Sequence, residues 1–343
     1  MNRYDEYYDY RLATVDDVDD IMKFINDEWK ENHILARDKE LFLWQYGRTE
    51  YGDHHNINVV LMTDKKNSIL GMIGFIPYSD SKEELHISAA ITKVKAGLEI
   101  PMTGIELMKR RVKLVGEIAD FDSGTNPKTI LPIFKSVFRH RTGLMQQYYM
   151  LNPDLSEYRI AKASGSKPAD HEKGVNKLIE YTEFGDVEDT FDFEQKFDRM
   201  SFKSRQYIKK RFFEHPIYRY RKWKIVNDEN NITGLLFGRE NSVEQSKVLR
   251  LVDFRGDLKE LGELGEALHS VMKREGYEYI DMMVSDIPEE VMSRSGFSLL
   301  DPDGDVVIPN YFQPFVRENI KVHYQKSHDI VIFKADGDQD RPS

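Results

Sequence analysis

The sequence predicts a mixed α/β (α+β) protein of two domains that share one order of elements. Three observations carry this. The chain has 343 residues, room for one large core or two ordinary ones, and two is the better expectation. Its hydrophobic pattern switches repeatedly between strand spacing and helix spacing. The order found in the first half returns in outline in the second, and a period near half the chain means tandem domains rather than a solenoid.

The first half reads as follows. Arg11 to Ala13 is a short strand, and Thr14 caps a helix with Asp16 and Asp17 in its first turn. Val18, Ile21, Met22, Ile25 and Trp29 form its apolar stripe. Asp38 caps a second helix carrying Leu41, Phe42 and Leu43 to Tyr46. Asn56 to Thr63 and Ser68 to Tyr78 are strands around the polar turn Asp64 to Asn67, a hairpin signal. Leu85, Ile87, Ala89 and Ile91 mark the next strand, and Gly97, Pro101 and Gly104 a turn. Ile105, Met108, Val112 and Val115 then repeat at helical spacing, with Lys109, Arg110, Arg111 and Lys113 between them. A strand that enters a helix through a glycine-bearing turn leaves free N–H groups at a positive dipole end, a seat for phosphate. An ordinary strand–helix connection has the same pattern. Val115 to Asp122 is a strand, Ser123 to Asn126 a turn, Pro127 to Phe138 a short helix, and Gly143 to Leu151 a closing strand.

A polar, acidic stretch runs from Asn152 to about Met200 and contains a linker candidate, Ser164 to Gly174. Glu180 to Phe193 can add a strand. The second half then gives a helix at Ser204 to Phe213 and strands at Arg221 to Val226, Ile232 to Gly238 and Val248 to Phe254. An amphipathic helix at Leu258 to Glu275, a strand at Tyr277 to Val284 and a helix at Pro288 to Ser295 follow. Gly71 matches Gly234, and Trp44-Gln45-Tyr46 matches Lys210-Arg211-Phe212.

Composition narrows the function classes. No apolar run is long enough to span a bilayer, and no cationic leader precedes an apolar core, so a cytoplasmic protein is expected. With no cysteine there are no disulfides and no thiolate metal sites. A net charge of −10 argues against nucleic acid as a partner, though not against a local basic pocket. Asp301-Pro-Asp303-Gly-Asp305 opens like a calcium loop but lacks the later glycine and glutamate. His54-His55 has no partners at ligand spacing, so no metal is expected.

Four strings carry a resemblance: H-I-L-A-R-D-x-x-L-F-L-W-Q-Y (His33 to Tyr46), G-x-N-P-K-T-x-L-P-I-F (Gly124 to Phe134), I-P-N-Y-F-Q-P-F (Ile308 to Phe315) and D-G-D-Q-D-R-P (Asp336 to Pro342). Over nearly its whole length the chain resembles the GNAT superfamily of acyl-CoA-dependent N-acyltransferases, in tandem. It is most similar to the tandem proteins of bacterial surface-polysaccharide and amino-sugar biosynthesis. The resemblance implies two GNAT-like domains, 1–152 and 201–343, joined by 153–200, each a mostly antiparallel central sheet flanked by helices. It implies acetyl-CoA or another acyl-CoA as donor and a small-molecule amine as acceptor, an amino sugar or nucleotide-linked amino sugar. Two alternatives stay open. One is an aminoacyl transferase of the peptidoglycan-bridge type, which would need charged tRNA. The other is a binding protein that kept the fold and lost the chemistry.

The resemblance also implies site residues. The family signature Q/R-x-x-G-x-G/A holds the CoA pyrophosphate on backbone amides after the fourth strand. The first domain offers Pro101-x-x-Gly104-x-Glu106, and the second Gly262-x-x-Gly265-x-Ala267 beside Glu263 and Glu266. A carboxylate near a pyrophosphate costs about 1 kcal/mol or more per close pair. The first domain is therefore the expected cofactor site, through Met102, Thr103, Gly104 and Ile105. Lys109 and Arg110 would meet the 3′-phosphate, or else form a solvated helix face, and Asn126 would meet the pantetheine arm. The family's tyrosine acid is absent: Leu131 to Phe138 has Phe near that place, and Met292 to Phe297 has Met. Direct attack by a positioned amine is then implied. Glu117, Asp120 and Asp253 are candidate bases, or else strand-end carboxylates. His33 and Asp38 wall the family's acceptor cleft, where Trp44, Tyr46 and Tyr311 can contact a sugar. Equally, these residues suit helix caps and core aromatics.

Overall fold

The structure is a computed structural model that describes residues 3–47, 55–79, 81–163 and 168–337. The first half contains β1 (Asp9–Thr14), α1 (Val18–Phe24), α2 (Ile34–Arg37), α3 (Lys39–Tyr46), β2 (Asn56–Thr63), β3 (Ile69–Pro77), β4 (His86–Val94), α4 (Thr103–Val115), β5 (Ala119–Ser123), α5 (Leu131–Ile133), β6 (Arg141–Leu144) and β7 (Gln146–Leu151). The second contains β8 (Lys177–Tyr181), α6 (Gly185–Glu188), α7 (Arg205–Phe212), β9 (Arg221–Val226), β10 (Ile232–Val243), β11 (Ser246–Gly256), α8 (Lys259–Gly262), α9 (Gly265–Glu275), β12 (Tyr279–Val284), α10 (Glu289–Arg294), β13 (Ser298–Leu299), β14 (Tyr311–Phe312), β15 (Phe315–Val316) and β16 (His323–Lys326).

These strands build two seven-stranded sheets with matching orders, β1-β2-β3-β4-β5-β16-β6 and β8-β9-β10-β11-β12-β7-β13. Neighbours are antiparallel except for one parallel pair in each sheet, β4 with β5 and β11 with β12. The sixth place of each sheet is filled by the other half. Tyr324 of β16 pairs with Ser123 on one side and Gly143 on the other. Tyr148 of β7 pairs with Met282 and Leu299. An internal strand needs both rows of backbone groups paired, so neither sheet is complete from its own half.

This exchange corrects the single closing strand expected at Gly143 to Leu151. The chain leaves one sheet and enters the other at Met145, which is buried between them and donates its N–H to Val322 O at 2.8 Å. Period-two patterning continues through the crossover, so alternation alone cannot show it. Sheet membership likewise crosses the boundaries at 152 and 200: β7 belongs to the second sheet, as does β8, its outermost strand. The strand sought at Glu180 to Phe193 lies earlier, and Val187, Phe191 and Phe193 instead enter the core between the sheets. The linker candidate includes 164–167, which fall outside the described residues.

Two expected helices are shorter than their patterns. Leu258 to Glu275 breaks at Glu263–Leu264, where Gly262 and Gly265 are packed against other chain segments. In Pro127 to Phe138 the helix begins only at Leu131. The Asn126 side chain accepts from Lys128 and Thr129 N–H and holds the preceding turn. Elsewhere the local chemistry acts as expected. Asp38 accepts from Leu41 N–H at 2.9 Å at the start of α3, and Ser204 accepts from Tyr207 N–H at 3.2 Å at the start of α7. Tyr46 then packs over Gly74, and Phe212 stacks on Phe237 at 3.9 Å. The two helices occupy equivalent places.

Separating the halves should therefore expose two unpaired strand edges. A 1–152 fragment expressed alone is expected to aggregate or lack fixed tertiary structure. Co-expression with 153–343 should give a soluble one-to-one complex, read by size-exclusion chromatography and near-UV circular dichroism. Two independently folded fragments would contradict the exchange.

Candidate functional site

The two parallel strand pairs separate early, and each separation leaves a wedge between strands. In the first sheet the pairing is His86 with Ala119 and Ile87 with Asp120, after which β4 and β5 part. In the second it is Leu249 with Ile280, Arg250 with Asp281 and Leu251 with Met282. The segment after β16 fills the second wedge. Ser285 donates to Ile332 O at 2.9 Å, Ala335 donates to Val252 O at 2.9 Å, and Phe333 bridges Val284. Phe333 is fully buried. The segment then turns to the first wedge. There a Cβ on Gly337 would lie 2.6 Å from Ser88 Oγ and 3.9 Å from Asp122 Cβ.

The helices that follow the wedges differ in the same way. A Cβ on Gly104 would meet only Val94, at 3.8 Å, so the N-terminus of α4 is open. Met102, in the left-handed region at φ 66°, is 63 % exposed there. Thr103 is buried, with its hydroxyl on Ile100 O, while Gly104 and Ile105 are half-buried. The α9 N-terminus is covered instead. A Cβ on Gly265 would lie 3.0 Å from both Glu172 O and His171, and Asn176 donates to Glu263 O. The acid at Glu106 is paired: Arg110 lies 2.7 Å from Glu106 and 2.7 Å from Asp5. Arg110 is thus committed, whereas Lys109 is exposed.

The expected bases lie in two buried ion clusters. Arg111 of α4 is 2.6 Å from Asp120 and 2.9 Å from Glu117, all with side chains under a tenth exposed. Gln325 of β16 donates to both Asp120 and Asp122. Burial pushes the Glu117 carboxyl up, against the lowering influence of Arg111. In the second cluster Lys203 bridges Asp253 at 2.5 Å and Asp336 at 2.8 Å, again buried. Burial raises Asp253 to about 6, opposed by Lys203 and reinforced by Asp336. Lys203 also lies 5.9 Å from the Tyr78 ring centre, and the Tyr78 hydroxyl accepts from Gly337 N–H at 2.7 Å.

Beside this cluster a cleft opens between α3 and α7. Trp44 and Gln45 face it from the first half, Tyr207, Lys210 and Arg211 from the second, and Gly337 forms part of its wall. Leu41, Ile76 and Pro77 supply an apolar floor. Trp44 packs against His215 with the ring centres 4.3 Å apart and the planes tilted by 50°. Gln45 and Tyr207 are 6 % and 7 % exposed, yet Gln45 Nε2, Tyr207 Oη and Trp44 Nε1 find no hydrogen-bond partner among the described residues. An unmade bond at a buried donor costs about 1–3 kcal/mol, so three around one cleft call for an explanation.

The structure does not bring the other expected residues to this cleft. Tyr46 is a core side chain against Phe42. Nδ1 of His33 accepts from Leu35 N–H at 3.2 Å, capping α2, and its ring packs on Trp29. Asp38 caps α3. Tyr311 is 40 % exposed on the β14–β15 hairpin. The adjacent Asn310 donates to Gln147 Oε1 and accepts from Arg250 at its carbonyl. Asn126 is an exposed turn residue. Sequence reasoning missed Gln45, Tyr207 and Lys203. Its one relevant signal was the match of Trp44-Gln45-Tyr46 with Lys210-Arg211-Phe212.

Among the described residues no group of three or more histidines and carboxylates is placed to hold a metal, and no helix is long and apolar enough to cross a membrane. His54 and residues 338–342 of the terminal string lie outside the described residues.

No known family matches the sequence, and no curated protein matches it. Solved structures do. A GCN5-related N-acetyltransferase from Anabaena variabilis aligns with a TM-score of 0.55 at 8 % identity, over 93 % of this chain and 72 % of that one. A protein of unknown function from Enterococcus faecalis, described as a probable N-acyltransferase, aligns with a TM-score of 0.51 at 7 % identity, over 92 % and 72 %. At such identities the likeness is one of fold. The chain has a mixed α/β fold of two GNAT-like domains, each a mostly antiparallel sheet flanked by helices.

The raised Asp253 carboxyl predicts a pH dependence of stability. A carboxyl that holds its proton more tightly folded than unfolded stabilises the fold fully below its ordinary range and loses that contribution as pH rises through its folded value. The melting temperature of the native protein relative to Asp253→Asn should therefore fall between about pH 4 and pH 6. A difference that is flat or rises over this window would refute the assignment.

Proposed function

We propose that this chain is an N-acyltransferase that moves an acyl group, acetyl in the first instance, from acyl-CoA to the amine of an amino sugar or nucleotide-linked amino sugar. The observation that carries the reading is an asymmetry. The α4 N-terminus is open beside a wedge reached by a single glycine, whereas the equivalent wedge and helix start in the second half are filled by the protein's own chain. The first domain would hold the donor. Backbone N–H groups of Thr103, Gly104 and Ile105, at the positive end of a thirteen-residue helix, suit a pyrophosphate. Pairing with Arg110 offsets the repulsion expected from Glu106. Lys109 would meet the 3′-phosphate, and Asn126 the pantetheine arm.

The amine must lose a proton before it attacks the thioester. A base poised near neutral pH suits that task, and Asp253 is raised into this range. Asp336, which shares Lys203 with it, precedes the cleft-lining Gly337. Glu117 and Asp120, clamped on Arg111, would hold α4 against β5. Trp44 would stack on the acceptor sugar. The chain would work in the cytoplasm without metal or nucleic acid.

One observation favours a second reading, a binding protein without turnover. The helix after β5 carries Phe134 and Phe138 and no tyrosine to protonate the leaving thiolate. Thermal shift with acetyl-CoA and longer acyl-CoAs, then product mass on an amino-sugar panel, separates the readings. No shift with any acyl-CoA would sink the acyltransferase reading, and a shift without turnover on any amine would support the binding protein.

Two variants localise the donor. Gly104→Asp puts a carboxylate at the open helix start and should weaken acetyl-CoA about tenfold or more, with little change in melting temperature. Lys109→Ala should weaken CoA by about threefold and leave 3′-dephospho-CoA unchanged, because only the exposed pair with that phosphate is lost. Isothermal titration reads both, and equal effects on the two cofactors would assign Lys109 elsewhere.

A further inference from the structure

Three residues that line the cleft between α3 and α7 each carry a buried polar atom that the fold leaves unpaired. Gln45 Nε2 and Trp44 Nε1 are N–H donors and Tyr207 is a phenol, and none finds a partner among the described residues. They come from helices in equivalent places of the two halves, so neither half alone makes the arrangement. Tyr207 is buried and its phenol is pushed well above the ordinary tyrosine value, chiefly by desolvation. It therefore stays protonated and able to donate. A ligand that satisfies an amide N–H, an indole N–H and a phenol must bring acceptors. A carboxylate is acceptor-only, with about four lone-pair sites. A hydroxyl would bring a further donor that needs its own partner. The floor of Leu41, Ile76 and Pro77 suits the apolar face of a ring.

We propose that this cleft is the acceptor subsite and that it takes a carboxylate-bearing amino sugar, the carboxylate held by Gln45, Trp44 and Tyr207. Calling the ligand an acceptor rests on the acyltransferase reading, while the binding chemistry rests on the cleft alone. Gly337 joins the two. It lines the cleft, and it sits against Ser88 where β4 and β5 part. A ring seated in the cleft would thus lie beside the tail residue that reaches the wedge.

The test follows the indole N–H resonance of Trp44 in the full-length protein, assigned by its loss in Trp44→Phe. The probes are 2-amino-2-deoxyglucuronate and glucosamine, the latter keeping ring and amine but lacking the carboxylate. Each is titrated with and without saturating acetyl-CoA. The aminouronate is expected to move the Trp44 signal saturably, with an affinity about tenfold or more above that of glucosamine. Gln45→Leu and Tyr207→Phe should each weaken the aminouronate several-fold at an unchanged or raised melting temperature. Acetyl-CoA affinity, which reads α4, should be untouched in both variants, so loss of the acyl-CoA reading and loss of this one are distinguishable. An unmoved Trp44 signal in every titration, an equal response to glucosamine, or undiminished affinity in both variants would overturn the proposal.

Discussion

The two halves are bound by a backbone constraint more than by any side chain. Each sheet places a strand of the other half at its sixth position, and an internal strand cannot leave without stranding two rows of hydrogen-bonding groups. To deliver β7 and β16 the chain must cross between the sheets twice. Aromatic and aliphatic side chains from both halves, among them Tyr78, Phe121, Tyr207, Phe237 and Ile332, pack together at that crossing. The wedges, the cleft and both buried ion clusters lie along the same seam. Burial there comes from both halves, so the chemistry of the site is a property of the pair.

The shared plan of the halves makes their differences informative. Both sheets part a parallel pair before a helix, and both helices begin near a glycine. One helix start is packed against His171 and Glu172, and its wedge is plugged by Phe333. The other is open. An unsatisfied wedge costs stability, so the half that keeps one unfilled by bulky side chains is the half with room for a ligand. The second half uses the same geometry to anchor the tail that reaches the first.

Buried charge at the seam is arranged to be paired. Lys203 meets two carboxylates and Arg111 two more. Replacing one partner of such a group leaves an uncompensated charge, which is strongly destabilising, whereas the intact pair adds little net energy. These clusters therefore act mainly to fix position. Arg111 fixes α4 on β5, and Lys203 ties the tail at Asp336 to Asp253 of β11. Asp253 still has its proton affinity raised, chiefly by burial and further by the neighbouring Asp336 carboxylate, against the lowering influence of Lys203.

The sequence by itself determined the local elements and their repetition. Asn56 to Thr63 and Arg221 to Val226 coincide with their strands, and Asp38 and Ser204 cap their helices, because periodicity and capping act over a few residues. It also singled out the open helix start at Gly104 and the matched triplets whose first two residues, Trp44-Gln45 and Lys210-Arg211, line the cleft. Tertiary structure alone decided which sheet each strand joins. The stretch Gly143 to Leu151 alternates without a break through a change of sheet, and alternation records which face a residue takes, not which neighbour it pairs with. The same limit explains the site. Glu117, Asp120 and Asp253 read in sequence as candidate bases or strand-end carboxylates because their cations, Arg111 and Lys203, meet them through contacts that pattern and spacing do not encode. Gln45 and Tyr207 lie 162 residues apart in sequence and face one cleft only after the halves exchange strands.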